Sequence, residues 1–323
     1  REESLFTTVA GRRSMQDGGD VHSLHGKLGD LAGDLAVWDR QNFGSVRQQI
    51  SQLKVQLQLL RVTPGRSGPT REETKITDML VELFHREEML WRQRARVEWL
   101  VHGDKNTYFF HLRASRRRCK NQIKSLQDEQ GQVIEDPAGM EELTTAYYKE
   151  LYTSEGVHNM EEVLRHVPTK VTSEMNDILN APYTHEEVKC ALFQMFPIKA
   201  PGPDGYPAHF FQRHWEVCGE EVTKVILKIV DGTETAACIN DTILVLIPKV
   251  KNPTLLKQFR PISLCNVLYK IASKVIYNRL KQILPDIISP EQSAFVPGRL
   301  ITDNIITAYE CLHFMKRNKA KKH

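Results

Sequence analysis

The sequence predicts an α+β protein whose first half is a long helical hairpin. Apolar residues recur in steps of four and three from Val46 to Leu60, which is typical of a short coiled-coil-like seam. A second apolar stripe runs from about Glu72 to Val101, and the Gly- and Pro-rich residues 63–69 break the helix between the two stripes. We expect the seam to be internal packing between the two helices, with a dimer interface as the alternative.

The second half alternates capped helices with short strands. Residues 121–135 alternate in polarity about a turn and predict a β-hairpin, and Asp136-Pro137 predicts the start of a helix. The segment from Thr184 to Glu187 is a capping box. Residues 266–284 predict a long helix closed by Pro285. A last helix, capped by Asp303 or Thr302, is expected to turn four apolar residues inward: Ile305, Ile306, Tyr309 and Leu312.

Composition excludes several classes of protein. The chain has 323 residues, 41% of them hydrophobic, which suffices for one or two cores, and its net charge of +4 decides nothing. Six scattered cysteines without a C-x-x-C pattern favour reduced thiols in an intracellular protein, nuclear or cytoplasmic, over a disulfide frame or zinc site. Neither a long apolar run nor a signal peptide is present, so we expect no membrane partner.

Positive charge is concentrated between residues 85 and 124, where eleven Lys or Arg stand against four Asp or Glu. Aromatic residues are interleaved with the basic ones, a pattern that suits contact with a phosphate backbone and occasional base stacking. Aromatics in a core and cations on a solvated face are the alternative, and composition does not decide between them. The candidate RNA-binding residues are Arg113, Arg116, Arg117, Arg118 and Lys120.

Residues 240–265 are a second place where cations gather around a defined backbone. Five apolar residues, 243–247, predict a strand buried on both faces, and Pro248 ends it. Lys249 follows the strand, and Arg260 precedes a proline that biases its backbone toward an extended conformation. An ammonium and a guanidinium thus flank a hairpin loop and could hold a polyphosphate. A surface hairpin with two solvated charges is the alternative.

Four motifs stand in order over about a hundred residues: APGPDG at 200–205, LIPK at 246–249, FRPISL at 259–264, and QSAFVPGR with ITDN at 292–304. Together they resemble the fingers half of a right-hand polymerase, the reverse transcriptase of non-LTR (LINE-type) retrotransposons of the kind common in plant genomes. Residues 91–111 resemble the segment that precedes the polymerase in the same elements. Two departures are Gln258, where an aspartate is common, and Tyr206, where phenylalanine is usual.

The resemblance implies roles for individual residues. Lys249 and Arg260 would bind the incoming deoxynucleotide triphosphate. Four residues would lie along the RNA template: Gly202, Gly205, Gln292 and Arg299. Judged from the residues alone, the Pro-Gly turn at 201–205 could equally be a rigid linker. Gln258 removes a carboxylate that could orient Arg260, so the role of that arginine is the first to check.

The resemblance also implies what this chain lacks. Family enzymes hold two metal ions, Mg²⁺ for the full-length protein, on an aspartate of an F/Y-D motif beyond ITDN and on a later Asp-Asp pair. Neither motif occurs in the 323 residues, and turn or cap chemistry explains Asp204 and Asp303. We therefore expect a truncated palm, no catalytic residue, no bound metal or cofactor, and an inactive fragment of an RNA-directed DNA polymerase. The alternative is a non-catalytic RNA-binding module or a pseudogene product derived from it.

The resemblance finally suggests a division of the chain. A disordered lead-in over 1–35 would be followed by a basic helical extension over 36–120, a hairpin and linking helices over 121–195, a partial reverse transcriptase domain over 196–317, and a basic tail over 318–323. The expected partners are an RNA template, a DNA primer, a deoxynucleotide triphosphate and the rest of the retrotransposon polyprotein.

Overall fold

A computed structural model describes residues 19–42, 44–62, 68–95, 107–156 and 159–320 of the chain. Most of these residues are helical, and the described strands form two small two-stranded sheets, which is compatible with the predicted α+β class. The assignment to the fingers of a right-hand polymerase stays a prediction. The helices are α1 (Val21–Asn42), α2 (Val46–Val62), α3 (Arg71–Ala95), α4 (Thr107–Asn121), α5 (Pro137–Tyr152), α6 (Met160–Leu164), α7 (Ser173–Asn180), α8 (His185–Phe193), α9 (Ala208–Arg213), α10 (Trp215–Val230), α11 (Val267–Ile287) and α12 (Ile301–Ala320). The strands are β1 (Leu126–Gln127), β2 (Val133–Ile134), β3 (Thr242–Pro248) and β4 (Phe259–Cys265). Within the described ranges, no helix is both long and apolar enough to cross a membrane.

The chain divides into two compact units that are not continuous in sequence. The first unit comprises Arg1–Gly29, Ser154–Ile243 and Ser263–His323. The second unit comprises Asp30–Thr153 and Leu244–Ile262. The predicted boundaries at residues 120, 195 and 317 stay predictions.

The second unit contains the predicted helical hairpin. The seam residues of α2 pack against the apolar stripe of α3 within the chain, which confirms internal packing. The buried residues of this core are Ile50, Leu57, Ile76, Leu80 and Leu83. Helix α4 packs on α3, where Phe110 is buried against Ala95. Asp104, which the sequence favours as the N-cap of α4, lies outside the described residues.

A second core of the same unit joins β1, β2 and α5 to the hairpin loop. Strands β1 and β2 pair antiparallel, and Asp136 caps α5 by accepting the amide of Gly139 at 2.6 Å, as predicted. Leu126 and Tyr148 are buried together with Leu256 and Phe259. The far part of the β3–β4 hairpin is thereby fixed to the unit.

Helices α8, α10 and α11 form the centre of the first unit. Their facing side chains are excluded from water almost completely, among them Val188, Leu192, Val222, Ile226 and Ile271. The predicted capping box at the start of α8 is present, because Thr184 and Glu187 bond to each other's backbone amides. The helix ends at Phe193.

The prediction of a disordered lead-in over residues 1–35 was wrong from Val21 onward; residues 1–18 lie outside the described residues. Helix α1 begins at Val21, and Val21, Leu24 and Leu28 are buried. Their spacing of three and four places them on one helical face. The glycines scattered among them obscured this periodicity. Lys27 of the same helix pairs with the largely buried Glu221 at 2.6 Å.

Several other predictions need correction. Strand β3 is half-buried, not buried on both faces, because its described sheet has only two strands. Helix α11 continues past Pro285 to Ile287. The side chains of α12 that were expected to turn inward are 55–70% exposed: Ile305, Ile306, Tyr309 and Leu312. The predicted basic tail is helical as far as Ala320, and Asp303 accepts the amide of Leu300 from inside the first turn, so it is not the cap itself.

Candidate nucleic-acid and nucleotide site

The β3–β4 hairpin presents both candidate nucleotide-binding residues at its loop end. Lys249 follows β3 directly, and its amide donates to the carbonyl of Gln258 at 2.9 Å, which closes the loop. Its amine donates to the carbonyl of Lys257 at 3.0 Å. Arg260, in β4, is exposed, and its guanidinium forms no hydrogen bond or ion pair with any residue that the structure describes. The structure therefore brings the two cations onto one hairpin, and their role in binding stays a prediction.

Position 258 does not orient Arg260. The side-chain oxygen of Gln258 instead accepts the amides of Thr254 and Leu255 at 2.8 and 3.2 Å. The carbonyl of Thr254 in turn accepts the amide of Gln127 from β1 at 2.7 Å. A side-chain acceptor at 258 therefore folds the hairpin loop onto the second unit. An aspartate there could accept the same amides. Gln258 therefore preserves the loop contacts of the family residue, and the loss of a carboxylate that would orient Arg260 matters less than the sequence suggested.

Helix α4 presents a basic face. All five candidate residues, Arg113, Arg116, Arg117, Arg118 and Lys120, are exposed. None of them forms an ion pair or hydrogen bond within the described ranges. Of the three aromatics at the start of the helix, Phe110 is buried, Phe109 is half-buried, and Tyr108 is 77% exposed. One aromatic therefore belongs to the core and one lies at the surface, and whether the exposed cations contact nucleic acid stays a prediction.

Trp91 is not available for base stacking. The guanidinium groups of Arg47 and Arg94 each lie 5.1 Å from its ring, and the ring of His111 lies 3.6 Å away. Glu87 pairs with Arg47 at 3.5 Å and lies 3.8 Å from His111. Burial and the charge of Arg47 lower the pKa of His111, although Glu87 opposes the shift. Trp91 therefore joins α2, α3 and α4 as a structural residue.

The APGPDG turn packs inside the first unit. Gly202 is buried, and a Cβ there would lie 2.5 Å from the backbone nitrogen of Asn266. The buried Asn266 accepts the amide of Asp204 at 3.2 Å and donates to the carbonyl of Ile239 at 3.1 Å. Gly205 takes a φ of 78°, which favours glycine. The turn is therefore a rigid element of the fold, and any contact of Gly202 or Gly205 with template stays a prediction.

Tyr206 has a structural reason to be a tyrosine. Its hydroxyl donates to the carbonyl of Leu28 in α1 at 3.0 Å, a bond that phenylalanine cannot form. Burial and the neighbouring Asp204 raise the pKa of this hydroxyl to about 12. Burial also raises the pKa of Asp204, whose oxygen accepts the amide of Tyr206 at 3.1 Å.

Arg299 is already engaged within the protein. Its guanidinium donates to four backbone carbonyls at the end of α11 and just beyond: those of Pro285, Ile288, Ser289 and Gln292. A cation at the C-terminal end of a helix also matches the helix dipole. Gln292 is exposed and donates to the carbonyl of Ala294 at 3.2 Å. Arg299 therefore closes the QSAFVPGR loop, and neither residue's role toward template is tested.

Arg279 is the residue that sequence reasoning missed. It lies on the buried face of α11, four residues after Val275, and grips the carboxylate of Glu187 with two bonds of 2.7 and 2.9 Å. Its remaining hydrogen bonds reach three carbonyls of the segment that leads into α8: those of Leu179, Ala181 and Pro182. The ring of Tyr183 lies 3.7 Å beneath the guanidinium. The sequence did contain a signal for its burial: Ile271, Val275 and Arg279 follow one another in steps of four, which places them on one helical face.

The described residues do not suit a catalytic metal pair. No group of three or more His, Cys, Asp or Glu lies together in the described part of the chain. Asp204 already accepts a backbone amide, and Asp303 accepts the amide of Leu300 at 3.1 Å. Neither carboxylate has a partner acid with which to hold two ions.

The predicted site residues fall into the two units. Lys249, Arg260 and the basic face of α4 belong to the second unit. The other four candidates belong to the first unit: Gly202, Gly205, Gln292 and Arg299.

Comparison with known proteins agrees with the motifs. Residues 247–323 match the family model described as reverse transcriptase (RNA-dependent DNA polymerase). The chain is also 32% identical over 226 residues to a Xenopus laevis protein named "Transposon TX1 uncharacterized 149 kDa protein". That alignment covers 69% of this chain and 17% of the transposon protein, so the chain spans about a sixth of its relative's length.

Proposed function

Because this chain belongs to the reverse transcriptases of non-LTR retrotransposons, we propose that it forms the fingers part of such an enzyme. In this role it binds the RNA template and the incoming nucleotide, and residues 1–323 alone do not polymerise. A DNA primer, Mg²⁺ and the rest of the transposon polyprotein belong to the activity of the whole protein. The plant-like origin stays a prediction.

The observation that carries RNA binding is the basic face of α4. Five cations project from one helix without an ion pair in the described ranges, so each can meet a phosphate without first giving up an internal partner. Tyr108, exposed at the start of the same helix, adds a ring on which a base can stack. Phosphate contacts of this kind release counterions and make affinity depend on salt.

The nucleotide role rests on the anchored hairpin. Gln258 and the pairing of Lys249 with Gln258 hold the loop, so the two cations are presented by ordered backbone. Arg260 can grip two phosphate oxygens with its planar fork, and Lys249 adds a compact charge. A triphosphate has enough negative charge and enough oxygen atoms to bind the Arg260 guanidinium and the Lys249 ammonium at the same time.

RNA binding is tested by replacing Arg116, Arg117 and Arg118 with Gln. The slope of log affinity against log salt for a single-stranded RNA should flatten by about two units, at about 0.7 per lost contact. The matched control replaces three exposed cations of α2 and α3 with Gln: Arg61, Arg71 and Lys75. An equal slope in the α4 variant and the control would show that α4 is only a solvated face.

Activity is tested by primer extension on an RNA template with the purified chain and Mg²⁺ or Mn²⁺. We expect no nucleotide incorporation, because the 323 residues contain no adjacent Asp-Asp pair. Incorporation that persists after repurification would overturn the assignment of this chain as a non-polymerising part.

A further inference from the structure

The first unit contains a groove of about 310 Å³ whose lining carries three lysines and no carboxylate. One wall is the segment after α8, from Gln194 to Ala200, and the other is the first half of α11. We call it the lysine groove. Its volume is at the low end of the range for ligand sites, so a single strand can enter and a duplex cannot.

The lysines approach the groove from both walls. Lys270 and Lys274 lie on one face of α11, three and seven residues after the buried Val267, and Lys199 comes from the opposite wall. In the described part of the chain none of the three forms an ion pair. The amine of Lys274 lies 5.0 Å from the ring of Tyr277, and the charge of Lys270 acts on the carboxyl of Asp204. The groove therefore has an excess of positive charge.

The walls are held in place without a ligand. The side-chain amide of Gln212 donates to the carbonyls of Leu192 and Met195 at 3.0 Å each, which caps the end of α8. The amide of His209 donates to the carbonyl of Pro197, also at 3.0 Å. A preformed site loses less conformational entropy when it binds.

The groove is apolar between its charges. Met195, Ala200 and Val267 line it, and Phe196 is 43% exposed beside them. Ammonium groups around an exposed aromatic ring match a nucleotide unit, since its phosphates are anionic and its base has an apolar face. Inorganic anions alone would leave the apolar lining unused.

We propose that the lysine groove binds a single-stranded nucleic acid, with backbone phosphates at Lys199, Lys270 and Lys274 and a base against Phe196. This site is separate from α4 and rests on the proposed function only in taking RNA as the strand. A free nucleotide has the same phosphate and base chemistry, so the experiment compares a single strand with a free nucleotide.

The test starts from the chain with Arg116, Arg117 and Arg118 replaced by Gln, which removes the α4 contribution. In that background, Lys199, Lys270 and Lys274 are replaced with Gln, and anisotropy of labelled oligouridine is followed against salt. The slope should fall by a further two units or so, and replacement of the same three with Arg should keep it. Phe196→Leu should weaken binding at least about fivefold without changing the slope.

The control replaces three other exposed lysines of the first unit with Gln: Lys170, Lys281 and Lys316. A groove variant that matches this control overturns the proposal, even if the α4 variant behaves as expected. If the groove substitutions reduce the salt slope and the α4 substitutions do not, the groove proposal stands and RNA binding by α4 is refuted. Unlabelled deoxynucleotide triphosphate and unlabelled oligouridine are compared as competitors of the labelled strand. If the triphosphate competes equally well, the groove binds a free nucleotide and the proposal of a bound strand is wrong. In the unmodified chain, ultraviolet crosslinking should place uridine on residues 194–200, and a map without adducts there also refutes the groove.

Discussion

Arg279→Met is expected to destabilise the first unit by about 3 kcal/mol. The substitution keeps the apolar stem in α11 but leaves the carboxylate of Glu187 without its two bonds of 2.7 and 2.9 Å. Breaking a buried ion pair from one side costs about 3–5 kcal/mol, because the other charge stays uncompensated. The Glu187 side chain keeps 32% of its surface in water, against 7% for Arg279, so the lower end applies.

The assay is urea unfolding read by hydrogen-exchange mass spectrometry in peptides of α7, α8 and α11, which reports the first unit by itself. Glu187→Gln and the double variant complete a cycle, since Gln can still accept the amide of Thr184. Lys281→Met, an exposed change on the same helix, should stay within about 0.5 kcal/mol. If the destabilisations of Arg279→Met and Glu187→Gln add in the double variant, with a coupling energy below about 0.5 kcal/mol, the ion pair is not the cause of the destabilisation.

The same contact has a pH dependence with a defined sign. The hydrogen bond from Arg279 holds the pKa of Glu187 below its ordinary value. A lowered pKa contributes stability above the ordinary carboxyl pKa of about 4.3, and this contribution is lost as pH falls through the lowered value. The difference between wild type and Arg279→Met should therefore shrink in acid. A difference that stays constant down to the acid transition would contradict the electrostatic account.

Three further predictions follow from the site. Gly202→Ala should destabilise the first unit by about 1–3 kcal/mol in urea unfolding, because the new Cβ would lie 2.5 Å from the nitrogen of Asn266; a neutral result would mean that the turn can move. Arg299→Gln should lower stability by about 1–2 kcal/mol while RNA affinity stays unchanged, since its donors are bonded to carbonyls; the reverse pattern would make it a template residue. Arg260→Lys, in a chain extended through the aspartate motifs, should raise the apparent nucleotide constant about tenfold or more in single-nucleotide incorporation; weakened RNA binding with normal nucleotide dependence would assign the residue to the template.

Local features were predictable from the sequence because their partners are close in the chain. The caps at Asp136 and Thr184 and the seam of α2 depend on residues three or four positions apart, and the structure confirms them. Helix α1 was missed because its glycines dilute the apolar spacing. The pair of Lys27 with Glu221 was missed for another reason, since its members are 194 residues apart.

The site was predictable only in part, for the same physical reason. The sequence indicates which motif residues lie in a hairpin or a turn. It does not indicate whether their polar atoms already form hydrogen bonds within the protein. Arg299 and Arg260 look alike in sequence, yet one donates to four carbonyls and the other has no bond within the described ranges. Lys199 and Lys270 meet in a groove although no motif joins them.

Helix α12 is anchored at one end. Its first turn is tied down where the side chain of Asn304 donates to the carbonyl of Glu291 at 3.0 Å, while every described side chain from 301 to 318 is exposed. Its helicity therefore depends on its own backbone bonds, and isolated helices of this length are marginal in water. Amide protons of α12 should exchange within seconds to minutes, long before those of α11, because opening the helix breaks almost no tertiary contact. Protection should decline from the Asn304 end toward Ala320, so that α12 melts as an independent cooperative segment.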